Sequence, residues 1–213
     1  RYSGSGEEHA PLHKLGTEQW TTAKRKAAEK IRDVAAELLE IYAKRKSRKG
    51  RSFSSFQEDY ALFSAGFPFE ETPDQEAAIN AVRADLFAAT PMDRLVCGDV
   101  GFGKTEVAMR AAFLAVQNNL QVVILVPTTL LAQQHYDNFQ DRFSEWPIQI
   151  DVISRFKSAK ETSEIRSKLE NGKVDIIIGT HKLLQKNIKT PSLGLLIIDE
   201  EHRFGVRQKE TLK

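Results

Sequence analysis

From Thr17 onward, Trp20, Ala27, Ile31, Val34, Leu38 and Ile41 recur at steps of three, four and seven, which places them on one stripe of an α-helix. The pattern predicts a helix from Thr17 to about Arg48. Thr17 serves as its N-cap and Glu18 sits in the first turn, while Lys44, Arg45, Lys46, Arg48 and Lys49 precede Gly50 at the other end. Acid first, base last and glycine after agree with the helix dipole and a glycine C-cap. Some ~30 residues rise roughly 45 Å, long for a helix inside one compact domain, so it reads as a strut between domains.

Residues 51–55 are basic and Ser-rich, as a linker would be. A short helix is expected over Gln57–Ala65, stopped by Gly66-Phe67-Pro68-Phe69. The pattern then becomes regular. Helices are predicted from Pro73 to about Ala88 and over Lys104–Gln117, Leu130–Phe143 and Ala159–Leu169, with strands at Arg94–Cys97, Gln121–Val126, Ile148–Ile153, Val174–Ile178 and Gly194–Ile198. Strands that are apolar throughout, alternating with amphipathic helices, indicate a parallel sheet covered on both faces. The expected class is α/β, doubly wound. The chain divides into residues 1–15, the tail of a preceding domain, residues 16–55, strut and linker, and residues 56–213, the α/β lobe.

Charge refines this division. The net charge of +2 conceals a basic strut: residues 14–51 hold 12 Lys and Arg against 5 Asp and Glu, while the lobe beyond is slightly acidic. The charges of the strut suit a solvated helix face, and nucleic-acid binding by the lobe has to come from placed groups instead of a bulk positive field. The longest apolar runs, Leu195–Ile198 and Val122–Val126, are strand-sized and far short of the ~20 residues of a bilayer span, so no membrane partner is expected. The single cysteine, Cys97, makes no internal disulfide, and the five histidines lack metal-ligand spacing, which together point to the reducing cytoplasm and against structural zinc. The opening Arg1-Tyr2-Ser3-Gly4-Ser5-Gly6 has neither an initiator Met nor an apolar signal region, and reads as the start of an excised piece.

The chemistry is concentrated in Gly98-Asp99-Val100-Gly101-Phe102-Gly103-Lys104-Thr105, which fits G-x-x-x-x-G-K-[ST] at every fixed position. In a phosphate-binding loop the glycines let backbone amides curl around an anion at a helix N-terminus, Lys104 reaches the β- and γ-phosphates and the Thr105 hydroxyl ligates Mg²⁺. Asp199 and Glu200 follow an apolar strand, where open α/β sheets place ligands. Asp199 suits the Mg²⁺ partner and Glu200 the group that positions the attacking water. Gln75 has two readings. One closes a capping box with Thr72 ahead of Pro73; the other reads the adenine edge of ATP, with Phe67 or Phe69 against the ring.

These motifs resemble the superfamily 2 helicases and translocases of the DExH type. Gln75 stands in the Q motif, Gly98–Thr105 in motif I and Asp199 to His202 in motif II; Pro127 to Gln134 is similar to motif Ia and Gly179 to Leu184 to motif Ic. Asp-Glu-Glu-His followed by Arg203-Phe204-Gly205-Val206-Arg207-Gln208 resembles the group holding RecG and the bacterial transcription-repair coupling factors. The stretch from Leu12-His13-Lys14-Leu15-Gly16 through Trp20 to Tyr42-Ala43 resembles the coupling factors' junction between polymerase-binding module and motor. The resemblance implies a RecA-like lobe of an ATP-driven double-stranded DNA translocase. Such a motor pushes on stalled RNA polymerase and recruits excision-repair proteins. It implies that Thr128, Thr129, Gln133, Arg155, Phe156, Thr180, His181 and Lys182 grip the DNA backbone, a task for hydroxyls, strand ends and helix N-termini that needs no base reading.

The resemblance also implies that motif III and a second RecA-like lobe with its arginine finger follow Lys213. Such an arginine is worth about 10³–10⁵ in rate, so the isolated chain is expected to bind nucleotide weakly and hydrolyse it hardly at all. Three other readings compete: a RecG-like branched-DNA remodeller, a non-catalytic scaffold with a vestigial nucleotide site, and a metabolic kinase, which the motif Ia and Ic residues argue against.

Overall fold

The computed structural model describes residues 18–180, 183 and 188–200, with only the backbone for Gln19 and Arg45. It divides into two compact units, Arg1–Lys49 and Gly50–Lys213, each taken here by itself. In the first, α1 (Glu18–Ser47) is one uninterrupted helix of 30 residues. Exposed ion pairs one turn apart, Arg25–Glu29 at 3.9 Å and Glu40–Lys44 at 2.6 Å, add a few tenths of a kcal/mol each at most. Thr17, its expected N-cap, lies outside the described residues, as do residues 1–15.

In the second unit, α2 (Gln57–Ala65) and α3 (Pro73–Phe87) precede α4 (Lys104–Gln117), β1 (Gln121–Leu125), α5 (Thr129–Arg142), β2 (Ile150–Ile153), α6 (Ala159–Glu170), β3 (Ile176–Gly179) and β4 (Leu193–Ile198). All four strands are parallel, in the order β2-β3-β1-β4. Alternate residues of β1 serve opposite faces, as a two-residue repeat demands. Val122 and Ile124 pack with Val82 of α3, Phe113 of α4 and Phe139 of α5, whereas Val123 and Leu125 pack with Ile165 and Leu169 of α6. Helices therefore cover both faces, and the sheet is doubly wound. Buried aromatics fill the first face: Phe63 stacks on Phe113 at 4.3 Å and Trp146 meets Phe113 edge-on at 4.7 Å. Among the described residues no helix is long and apolar enough to cross a membrane.

Two expectations are corrected. Arg94–Cys97, predicted as a strand, makes no ladder among the described residues: Val96 packs against the core, but Leu95 is 71% exposed. Apolar character alone does not make a strand, because its N–H and C=O groups need a neighbour to pair with. Residues 51–55, expected as linker, are stitched to the lobe. Phe53 is buried and its N–H donates to Leu86 O at 3.0 Å, while Ser54 exchanges hydrogen bonds with the Asn118 side chain at 2.7 and 3.2 Å. The Ser-rich composition concealed one core aromatic.

Helix α6 opens on a capping box. Ser158 Oγ accepts from Glu161 N at 3.2 Å, and a Glu161 carboxylate oxygen accepts from Ser158 N at 2.8 Å. Ser158→Ala is expected to destabilise the chain by about 1 kcal/mol, read as a lower urea midpoint with unchanged slope. An unchanged midpoint would show that the cap contributes nothing.

Candidate functional site

The parallel arrangement brings every strand's C-terminal end to one edge of the sheet, and the candidate residues follow those ends. Thr128 comes after β1, Arg155 and Phe156 after β2, Thr180 after β3, and Asp199 after β4. Asp199 N donates to Leu125 O at 2.9 Å, which extends the β1–β4 ladder by one step and fixes where its carboxylate begins.

The glycine-rich loop from Gly98 runs into α4, whose N-cap Gly103 is left-handed at φ 68°. Gly101 is left-handed too, at φ 87°, with open space around it. At Gly103 a Cβ would run into the Gln75 side-chain amide, so this position requires glycine for both backbone and space. Lys104 Nζ donates to the carbonyls of Gly98 at 2.5 Å and Asp99 at 2.7 Å, which holds the ammonium inside the loop. Val100 and Phe102 stand exposed at the loop's tip.

Gln75 ties α3 to this loop. Its N–H donates to Thr72 Oγ1 at 3.2 Å, its Oε1 accepts from Thr72 N at 2.8 Å, and its Nε2 donates to Phe102 O at 2.9 Å. The capping box is thus present, and the amide's oxygen and one N–H are engaged. To read an adenine edge it has to exchange those bonds. Phe67 and Phe69 meet edge-to-face at 5.5 Å, with Phe69 exposed.

Just past the end of β4, Asp199 Oδ2 lies 2.8 Å from Nε2 of His135 on α5, and Glu200 N donates to Asp199 Oδ1 at 3.0 Å. Glu200 has a left-handed backbone at φ 50°. The hydrogen bond from His135 holds the Asp199 carboxyl below the usual carboxylate range, against burial, which pushes it up; the charge on His135, the Glu200 amide and the Lys104 ammonium add to the lowering. Asp199 is therefore a charged carboxylate at neutral pH. Among the described residues no three His, Cys, Asp or Glu side chains form a self-sufficient metal site. One carboxylate and the Thr105 hydroxyl beside a phosphate cradle fit Mg²⁺, which takes its other oxygens from phosphates and water.

The remaining candidates occupy the same edge with different freedom. Thr128 caps α5, its Oγ1 accepting from Leu131 N at 3.2 Å, which leaves the hydroxyl proton to donate elsewhere. Thr129 is half-buried in the first turn. Gln133 Nε2 donates to Asp137 at 2.9 Å, and the exposed Arg155 lies over the Phe156 ring at 5.4 Å. Thr180 is buried, 4% exposed, so its hydroxyl does not stand on the surface as a phosphate contact needs. His181, Lys182 and residues 201–208 lie outside the described residues.

The sequence pattern of DEAD/DEAH box helicases matches residues 72–213, from the cap of α3 through the phosphate loop and both acids. The chain belongs to the DEAD/DEAH box helicase family. Membership implies that it uses ATP. Along all 213 residues this helicase-family chain is 65% identical to the transcription-repair-coupling factors of Escherichia coli (strain K12) and Haemophilus influenzae (strain Rd), covering 19% of each. It is 49% identical to that of Bacillus subtilis (strain 168), covering 18%. The chain thus spans less than a fifth of the length of these curated relatives. Among solved structures it resembles RecG bound to a three-way DNA junction, with a TM-score of 0.73 and 36% identity over 78% of this chain and 23% of that one. A hypothetical ATP-dependent RNA helicase from Sulfolobus tokodaii shares the fold, with a TM-score of 0.52 and 18% identity over 68% of this chain and 42% of that one.

Within the helicase lobe, two features escaped sequence reading. His135 shows no metal-ligand spacing, and its partner Asp199 lies 64 residues away. Glu106, two residues past Lys104, anchors a buried ionic cluster: its Oε1 accepts from Arg110 Nε at 2.8 Å and Arg142 Nη2 at 2.9 Å, and Arg110 also donates to Glu71 at 2.6 Å. Only the i, i+4 spacing of Glu106 and Arg110 was visible in the sequence.

Proposed function

We propose that the chain is the first RecA-like lobe of an ATP-driven double-stranded DNA translocase of the transcription-repair coupling type, working in a bacterial cytoplasm. The observation that carries this reading is the likeness to coupling factors over the whole chain, α1 segment included. RecG is matched over 78% of the chain at 36% identity, so a branched-DNA remodeller is the weaker reading. What speaks against the scaffold reading is a loop that gathers three glycines and a lysine near a charged carboxylate, an arrangement that supports a nucleotide site.

In this reading the backbone amides of Gly98–Thr105 and the α4 N-terminus cradle the ATP phosphates, and Lys104 leaves its two carbonyls for the β- and γ-phosphate oxygens. Thr105 and Asp199 hold Mg²⁺, which supplies charge neutralisation on the phosphoryl oxygens. Glu200 orients the attacking water, and Gln75 with Phe69 receives the adenine. Thr128, Thr129, Gln133, Arg155 and Phe156 grip the DNA backbone, joined by His181 and Lys182, while the buried Thr180 supports them from beneath. RNA polymerase, excision-repair proteins and a second RecA-like lobe are the partners assigned to the full-length protein.

The test uses the full-length protein with RNA polymerase stalled on duplex DNA and, separately, with a four-way junction. ATP-dependent release of polymerase without junction unwinding is expected. Junction remodelling without polymerase release would assign the lobe to the RecG type and overturn the coupling assignment.

A further inference from the structure

His135 sits on α5 with its side chain only 12% exposed, and its ring packs at 6.3 Å against Phe139. Phe139 is itself buried and stacked on Phe143 at 5.6 Å. The core thus fixes the ring's direction. Its Nε2 lies 2.8 Å from Asp199 Oδ2. An ionised carboxylate only accepts hydrogen bonds, so Nε2 carries the proton and donates. The other ring nitrogen, Nδ1, is buried and has no hydrogen-bond partner among the described residues. On its other oxygen, Asp199 accepts the Glu200 amide at 3.0 Å. Each carboxylate oxygen therefore keeps lone pairs for a cation while two donors from different elements hold the group in one orientation.

We propose that His135 is a positioning residue for Asp199, anchoring the magnesium-binding carboxylate to the buried face of α5. The proposal rests on the reading of Asp199 as the metal carboxylate. A ligating carboxylate that swings freely has to be ordered each time the metal arrives, whereas one held by a core-packed donor is already oriented. Loss of such an outer hydrogen bond typically costs about 10–100-fold in metal affinity. His135 touches neither nucleotide nor metal in this arrangement, so its effect should appear in the metal's affinity and not in metal-free nucleotide binding.

The experiment measures Mn²⁺ affinity by electron paramagnetic resonance in the full-length protein saturated with ADP, alongside ADP affinity in EDTA. His135→Ala is expected to weaken Mn²⁺ binding about 10–100-fold and leave ADP affinity in EDTA unchanged. His135→Gln, whose side-chain amide can donate from a similar reach, is expected to recover most of the loss. Unchanged Mn²⁺ affinity in His135→Ala would overturn the proposal, as would an equal loss in His135→Gln or a parallel loss of ADP binding in EDTA. Asp199→Asn separates the two levels of the argument. If it leaves Mn²⁺ affinity intact, the metal reading of Asp199 fails; if it abolishes binding while His135→Ala does not, only the positioning role fails.

Discussion

Lys104→Ala in the full-length protein is expected to lower ATP turnover by roughly 10²–10³-fold, the scale set by removing one preorganised electrostatic contact to a developing charge. The same substitution should hardly move the melting temperature. Among the described residues Lys104 donates to the carbonyls of Gly98 and Asp99 alone, in an exposed loop where water can replace it. A large kinetic effect with a small stability effect is the mark of a group whose work is done on the substrate. The measurement pairs steady-state ATP hydrolysis on duplex DNA with a thermal melt. Turnover within a factor of two of the unsubstituted protein would remove the catalytic reading of the loop and revive the scaffold reading.

Glu106→Ala, two residues further along the same helix, should do the opposite and act through the fold. Glu106 is 6% exposed and neutralises two guanidinium groups, Arg110 at 2.8 Å and Arg142 at 2.9 Å. Removing the shared anion leaves Arg110, itself buried, with Glu71 alone, and Arg142 with the Phe63 carbonyl at 2.6 Å and the face of the Phe63 ring at 4.0 Å. Breaking a buried pair from one side costs about 3–5 kcal/mol, a large part of the ~5–15 kcal/mol that holds an ordinary domain together. Urea unfolding of the 213-residue chain reads this as a strongly lowered midpoint. Glu106→Gln, which keeps the shape and one acceptor oxygen, should lose less. A cost under about 1 kcal/mol for Glu106→Ala would mean that the cluster is solvated and not structural.

The two substitutions mark different depths of legibility. Lys104 was readable because a phosphate loop is local: eight consecutive residues carry the glycines, the lysine and the hydroxyl, and one helix start completes it. Helices α2 to α6 were readable for the same reason, since periodicity and the Thr72–Pro73 start of α3 act within a turn or two. The lack of a strand at Arg94–Cys97 was not, because its apolar run resembles that of β1, and only the available ladder partners distinguish them. Gln75 was half readable. Its capping role is local to Thr72, whereas its bond to the Phe102 carbonyl spans 27 residues.

What the chain alone determined, then, is every feature whose cause lies within a few residues: the α/β alternation, the caps, the phosphate loop and the acids at the end of β4. Tertiary structure decided the rest: the β2-β3-β1-β4 order, the burial of Phe53, the anion shared by Arg110 and Arg142, and the His135 hydrogen bond on Asp199. The Phe53–Leu86, Glu106–Arg142 and His135–Asp199 contacts join groups 33 or more residues apart at 2.8–3.0 Å after the core has closed. No periodicity records that distance, because packing creates it.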